Sequence, residues 1–282
     1  MAKRLYIIGN GFDLHFNLKT GTDDFKKILN TKKSYDGYSA LDTFDYFGVN
    51  WSDYEDSLAD FDLDNLAYDI VTFPDYLSDH EYVRDGTITS VEYHIEHLKS
   101  AVEESLKEMV RQANKDIETV NFTPADADLI DCCSPILNFN YTSTIEKLYH
   151  RESYHIHGFG ECNEKLVFGY LEGFEARIEQ ELNSDIEDDH DYYVDTQKQL
   201  LVDLYKHWKK SLRVNELKDF LSRIGTINEV VVLGSSMGRV DSVYYELIEK
   251  QLNPPKWTVY YHSKQLNCGT YSFTDKVSFK EW

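Results

Sequence analysis

The chain has 282 residues, 41% of them hydrophobic and 14% aromatic, enough for a large buried core and far from the composition of a disordered chain. Fifty acidic against 29 basic residues give a net charge of −21, which argues against sequence-independent DNA or RNA binding by this chain alone. No stretch approaches the roughly 18 apolar residues of a membrane span, and Met-Ala-Lys-Arg leads into a strand pattern without a signal peptide.

The four cysteines, Cys132, Cys133, Cys162 and Cys268, have no C-x-x-C spacing, so the expected setting is cytoplasmic with reduced thiols. An apolar run, Leu5 to Ile8, breaks at Gly9-Asn10-Gly11, and a helical pattern follows from Leu14. A buried first strand of an α/β sheet reads this way when it turns into a helix whose free N–H groups face a ligand. Gly9 and Gly11 permit positive φ and the close backbone approach that a phosphate or ribose needs. A plain tight turn is the alternative. Leu14 stands at the third glycine position of the dinucleotide fingerprint, and no acidic strand end follows at the usual distance, so a hydride-transferring Rossmann enzyme is not expected.

Thr20 or Thr22 caps a helix near 22–30, with Asp23 and Asp24 at its positive end. Residues 31–50 read as a connecting loop, and Ser52 starts a helix from Asp53 to Asp62. The longest helical pattern runs from about Ser90 to Glu118, with Val91, Ile95, Leu98, Val102, Leu106, Met109 and Val110 at three- and four-residue steps. Strand character returns at Ser134–Asn140 and passes into a helix, Ser143–His150. Short strands follow at Tyr154–His157 and Leu166–Tyr170. Residues 172–195 are strongly acidic, most densely at Glu187–Asp191, where a solvated loop is the simpler reading than a cation site. Helices at Val194–Leu212 and Val214–Ile224 precede a strand, Glu229–Leu233, that ends in Gly234-Ser235-Ser236. A helix, Asp241–Gln251, and a late strand, Trp257–Tyr261, complete the pattern.

This alternation predicts an α/β, Rossmann-like fold with a mostly parallel sheet, in one domain over 1–282 with a mainly helical insertion at about 50–130. Three strand ends, at Gly9-Asn10-Gly11, at Asn138 to Thr142 and at Gly234 to Gly238, then lie along one edge where loops converge on a ligand.

Several segments resemble the successive motifs of the AbiH family of bacterial abortive-infection proteins. They are Ile-Ile-Gly-Asn-Gly-Phe-Asp-Leu (7–14), Trp-Ser-Asp-Tyr-Glu (51–55), Phe-Asn-Tyr-Thr-Ser-Thr-Ile-Glu (139–146), Ile-His-Gly (156–158) and Leu-Gly-Ser-Ser-Met-Gly-Arg-Val-Asp (233–241). More remotely the order is similar to sirtuin-like NAD-consuming domains, with Gly9/Gly11, Asp24-Phe25, Asn140, His157-Gly158 and Gly234-Ser235 on the matching places. The resemblance implies an anti-phage effector that binds NAD and hydrolyses its nicotinamide–ribose bond. It implies a nucleotide site of Gly9, Asn10, Gly11, Phe12, Asp13, Asp24, Phe25, Tyr141, Gly234, Ser235, Ser236 and Asp241, with Asn140 and His157 as catalytic residues and no metal. A phage-derived trigger or partner defence protein is expected, a homo-oligomer is left open, and no membrane association is expected. Three departures bear on this. Asp13 puts negative charge beside the loop that would face a diphosphate, so it points away or serves ribose hydroxyls. Thr142 replaces the acidic residue after the Asn-Tyr pair, and the zinc-binding cysteine pairs are absent, which disfavours deacetylation.

Breaking the nicotinamide–ribose bond builds positive charge on the ribose carbon, in an oxocarbenium-like state akin to that of glycosidases. Nicotinamide leaves neutral, so the protein must hold the ribose, orient water and accept a proton. An asparagine amide offers a donor and an acceptor for the first tasks, and a histidine near pH 7 suits the last. The plainer alternatives are that Asn140 caps the next helix and that His157 is a hydrogen-bonded core residue. His155 and His157 share a strand face, but no third metal ligand stands at a recognisable spacing. Gly-Ser-Ser-Met-Gly around Ser236, followed by Asp241 and His262, only weakly matches a hydrolase elbow. The function classes left are an NAD hydrolase, a non-catalytic nucleotide sensor signalling through a partner, and a Ser236 esterase.

Overall fold

Continuous apolar runs form strands buried on both faces, and the longest of them pair at the centre of one sheet. The computed structural model describes residues 3–35, 37–162, 164–171, 191–261 and 271–281. Its strands are β1 (Arg4–Ile8), β2 (Ile136–Asn138), β3 (Tyr154–His155), β4 (Glu229–Leu233), β5 (Trp257–Tyr261) and β6 (Val277–Glu281). They pair in the order β3-β2-β1-β4-β5-β6, and every pairing is parallel. The sheet therefore winds outward from β1 in one direction and from β4 in the other, the arrangement of a doubly wound Rossmann-like fold. Ile8 stands level with Asn138 on one side and Leu233 on the other, so β1, β2 and β4 end together.

Strand alternation sorts the core into two layers. Leu5, Ile7, Leu137, Val230 and Val232 pack under Leu217, Leu221, Tyr244, Tyr245 and Ile248. Tyr6, Ile8, Ile136, Val231 and Leu233 face the opposite way, onto Phe12, Phe16, Ala113, Ile117 and Ile145. At the N-terminal end of the sheet Glu229 binds Lys256 (2.8 Å), Thr258 (2.7 Å) and Arg4 (2.9 Å). Burial alone would raise this carboxyl, but those partners outweigh it and hold it at about 2.

By compactness the chain divides into two units. The sheet unit takes 1–24, 107–167 and 211–282; the second takes 25–106 and 168–210. The second unit is helical and aromatic: Phe44 and Phe61 close on Trp208 with ring centroids 5.4 and 5.3 Å away. Within it Glu55, from the Trp-Ser-Asp-Tyr-Glu segment, accepts from the buried Lys210 ammonium (2.9 Å) and from Gly169 N–H (3.3 Å).

Several boundaries differ from the sequence reading. The expected loop 31–50 contains a helix, Ala40–Tyr46, started by a capping box in which Ser39 and Asp42 satisfy each other's main chain. The expected helix Asp53–Asp62 breaks into three short turns, Trp51–Asp53, Tyr54–Ser57 and Leu58–Asp60. The long helix spans Glu81–Asp116; its seven stripe residues are buried, while residues 81–90 are exposed or at most half-buried. The strand expected over Ser134–Asn140 is paired only across Ile136–Asn138. Leu166–Tyr170 is not a strand; its one ladder contact is an isolated bridge from Tyr170 to Lys209. The helix read as Val194–Leu212 runs Tyr192–His207. β6 lies outside the expected strands because it is an edge strand, Val277-Ser278-Phe279-Lys280-Glu281, in which two apolar residues alternate with polar ones rather than forming an apolar run. Residues 172–190 and His262 lie outside the described residues. Among the described residues no helix is long and apolar enough to cross a membrane.

Candidate functional site

The turns that follow β1 and β4 interlock at the centre of the sheet edge. Gly9 N–H donates to Leu233 O (2.9 Å), Gly11 N–H to Gly234 O (2.6 Å) and Phe12 N–H to Gly9 O (2.9 Å). A Cβ on Gly9 would sit 2.6 Å from Ser235 Cβ, and one on Gly11 would sit 2.8 Å from Gly234 Cα. The glycines are there so that two backbones can touch. Two expectations are corrected: positive φ belongs to Gly234 (φ 69°) while Gly9 is extended (φ −121°), and the amides of Gly11 and Phe12 are taken by main-chain carbonyls. What remains open at this edge is polar. Asn10 and Ser236 are exposed, and Gly11, Gly234 and Ser235 are half-buried. Asn10 Nδ2 donates to Thr20 O (3.0 Å), while Ser235 Oγ meets Tyr245 OH (2.6 Å) and accepts from Met237 N–H (3.1 Å).

The helix Asn10–His15 carries Phe12 into the core, 5.3 Å from the Phe16 ring. Asp13, on the same helix, is 1% exposed. Thr142 Oγ1 donates to its Oδ2 (2.6 Å) and Thr144 Oγ1 to its Oδ1 (2.7 Å). Burial pushes this carboxyl up to about 6 in spite of the donors Thr142, Thr144 and Asn140 and the nearby His155. Asp13 thus points inward, and Thr142 is a hydroxyl because a carboxylate there would leave Asp13 facing a second negative charge. Asn140 is bound into the same knot: its Nδ2 donates to Gly9 O (3.0 Å), and its N–H donates to Asn138 Oδ1 (3.0 Å). It does not cap the following helix, Thr144–Leu148, whose N-cap residue is Ser143; Ser143 N–H donates to Asn114 Oδ1 (2.8 Å).

The two histidines diverge because they bond consecutive carbonyls. His155 Nδ1 lies 2.8 Å from Asn140 O, and its Nε2 lies 3.2 Å from both Glu146 Oε1 and Ser153 Oγ. Burial would raise Glu146, but hydrogen bonds from His155 and Ser153 hold it below the usual carboxylate range. His157 Nδ1 lies 3.0 Å from Phe139 O, so that nitrogen carries the proton. Its Nε2 is 3.1 Å from Asp241 Oδ1, an ion-pair distance without hydrogen-bond alignment, and it is buried without another partner. Thr20 Oγ1 is likewise buried and unpaired.

The structure thus brings Gly9, Asn10, Gly11, Asp13, Asn140, His157, Gly234, Ser235 and Asp241 to one end of the sheet through direct contacts. Tyr141 is tied beside them, its OH donating to Val167 O (2.7 Å) and its ring 6.2 Å from that of His157. Asp24 is half-buried in the first turn of the helix Thr22–Leu29. Phe25 is a core residue of the second unit, against Tyr54 (5.3 Å) and Trp51 (6.4 Å). Asp241 faces His157, and the His262 of the esterase reading lies outside the described residues. Thr144, Glu146, Ser153 and His155 were not singled out by the sequence reading as site residues. Thr144 and Glu146 fall within the motif 139–146, and His155 enters that reading only as a metal partner of His157.

No curated protein and no solved structure matches this chain. Residues 5–261, from the start of the buried part of β1 to the end of β5, match the model of the family described as bacteriophage abortive infection AbiH. The segments whose contacts have just been traced, 7–14, 139–146, 156–158 and 233–241, all lie within that match, and the chain belongs to the AbiH family.

Proposed function

We propose that this protein acts in phage abortive infection by binding a nucleotide, NAD being the candidate, where the sheet reverses direction between β1 and β4, and by cleaving the nicotinamide–ribose bond. Family membership indicates the abortive-infection role. The observation that supports the binding reading is the strand order: β1 and β4 wind away from each other at the place where doubly wound sheets bind ligands, and exposed Asn10 and Ser236 stand just beyond their carboxyl ends. Two buried polar atoms without an aligned hydrogen bond, His157 Nε2 beside Asp241 and Thr20 Oγ1, are compatible with a polar ligand nearby. With Nδ1 committed to Phe139 O, Nε2 is the nitrogen left to accept a proton from water.

One observation favours the second reading, a sensor that binds without cleaving. Asn140 and His157 are both buried and committed to main-chain carbonyls, which suits positioning the turns as well as it suits chemistry. Calorimetric titration with NAD and ADP-ribose, run beside an assay for free nicotinamide, separates the two. Under the hydrolase reading His157→Asn binds NAD within a few-fold of the parent and releases nicotinamide roughly 10²-fold more slowly or worse. Binding without release by the parent, with the infection trigger present, selects the sensor. Absence of binding to either nucleotide overturns both.

A further inference from the structure

Cys132 and Cys133 stand in the turn that leads into β2, away from the strand ends described above. Adjacent side chains on an extended chain point to opposite faces, so contact between neighbouring thiols requires a specific turn. This turn is clamped from both sides. The Asp131 carboxylate accepts from Cys133 N–H (3.2 Å), Ser134 N–H (2.9 Å) and Ser134 Oγ (2.8 Å). The Arg151 guanidinium donates to the carbonyls of Asp131 and Ser134, and Tyr6 OH donates to Asp131 Oδ2 (3.3 Å). Between these anchors the two thiols are exposed, with their sulfurs 3.2 Å apart.

A disulfide between them is disfavoured by the backbone. Consecutive Cα atoms lie about 3.8 Å apart across a trans peptide, below the roughly 4.4 Å at which disulfide geometry begins. A single larger atom bonded to both sulfurs lengthens the ring and removes that restriction. Two exposed sulfurs 3.2 Å apart offer a two-point attachment to a centre that needs only two protein sulfurs. Soft centres prefer thiolate. We propose that Cys132 and Cys133 form a two-thiolate site for a soft thiophilic centre of the trivalent arsenic class. The hydrogen bond to Cys132 and the charge there push the Cys133 thiol up.

Phenylarsine oxide is the probe. Its As–O bond breaks, two As–S bonds form, and the two thiol protons leave with the oxygen as water, with no change of oxidation state. The intact protein should retain one phenylarsenic group through excess 2-mercaptoethanol and lose it to excess dithiothreitol, with the adduct mapping to the peptide that contains both cysteines. Cys132→Ser and Cys133→Ser, checked for folding by circular dichroism, should each weaken retention roughly 10²-fold, the loss expected when a two-point attachment becomes single. Cys162, also exposed, serves as the single-thiol control. An adduct shed by the monothiol, retained equally in both serine variants, or mapped to Cys162 or Cys268 overturns the proposal.

Discussion

A buried charge makes the clearest demand on a single residue, and in this protein that residue is Asp13. Its carboxyl is ordinary near 3.8 when the chain is unfolded and is pushed up to about 6 when folded. The folded state therefore holds the proton more tightly. Between about pH 4 and pH 6 this group costs stability as pH rises, and above that window the cost is complete. At ~1.4 kcal/mol per pH unit, the whole window amounts to about 3 kcal/mol. Asp13→Asn removes the charge and keeps the shape. Its unfolding free energy, measured against the parent by urea titration, should improve by about 3 kcal/mol between about pH 4 and pH 7.5. Equal pH dependence in the two proteins would mean that Asp13 ionises inside the fold as readily as in the unfolded chain, so that burial does not raise its carboxyl. The comparison between variants is needed because Glu229, held at about 2, contributes with the opposite sign: its stabilisation is present above its unfolded range and lost as pH falls through the folded value.

Among elements, the junction of the β1 and β4 turns concentrates the strictest sequence requirements. Gly234 has φ 69°, and a Cβ on it would overlap the Phe12 nitrogen. Gly234→Ala should therefore destabilise the sheet unit by roughly 2–4 kcal/mol, combining left-handed strain with a backbone collision. Thermal melts read the effect directly. A variant that melts with the parent yet fails to bind NAD would instead give Gly234 to the ligand. The same geometry bears on Gly11→Val: its Cβ would press on Gly234 Cα and O at 2.8 Å, so stability should fall together with any binding. The glycines were legible as a pattern, but their reason was not. A glycine that admits a phosphate and one that admits another strand's turn look alike in a sequence.

At the scale of the whole molecule, the net charge of −21 sets how the protein meets polyanions. In a mobility-shift assay at about 0.15 M salt, duplex DNA should stay unbound, because there is no surplus of cations to release its counterions. A salt-sensitive shift with random-sequence DNA would show a basic surface that the totals conceal. The division into two units was not legible from the chain, since 25–106 and 168–210 are separated by more than sixty residues and nothing in either announces the other.

The sequence by itself determined where β1 and β4 end and the sheet's parallel character. Runs such as Leu5–Ile8 and Val230–Leu233 have no polar side and can be satisfied only by burial on both faces. It also determined the stripe of the long helix, through spacing alone, and the family. Tertiary structure decided the rest. Asp13 turns inward because Thr142 and Thr144, about 130 positions away in the chain, supply its donors. Asn140 serves Gly9 rather than a helix, and the two histidines take different partners, His155 the carbonyl of Asn140 and His157 that of Phe139. Periodicity reports which face of an element is buried; it carries no information about which distant group completes a hydrogen bond, and at this sheet edge those distant groups give each polar residue its role.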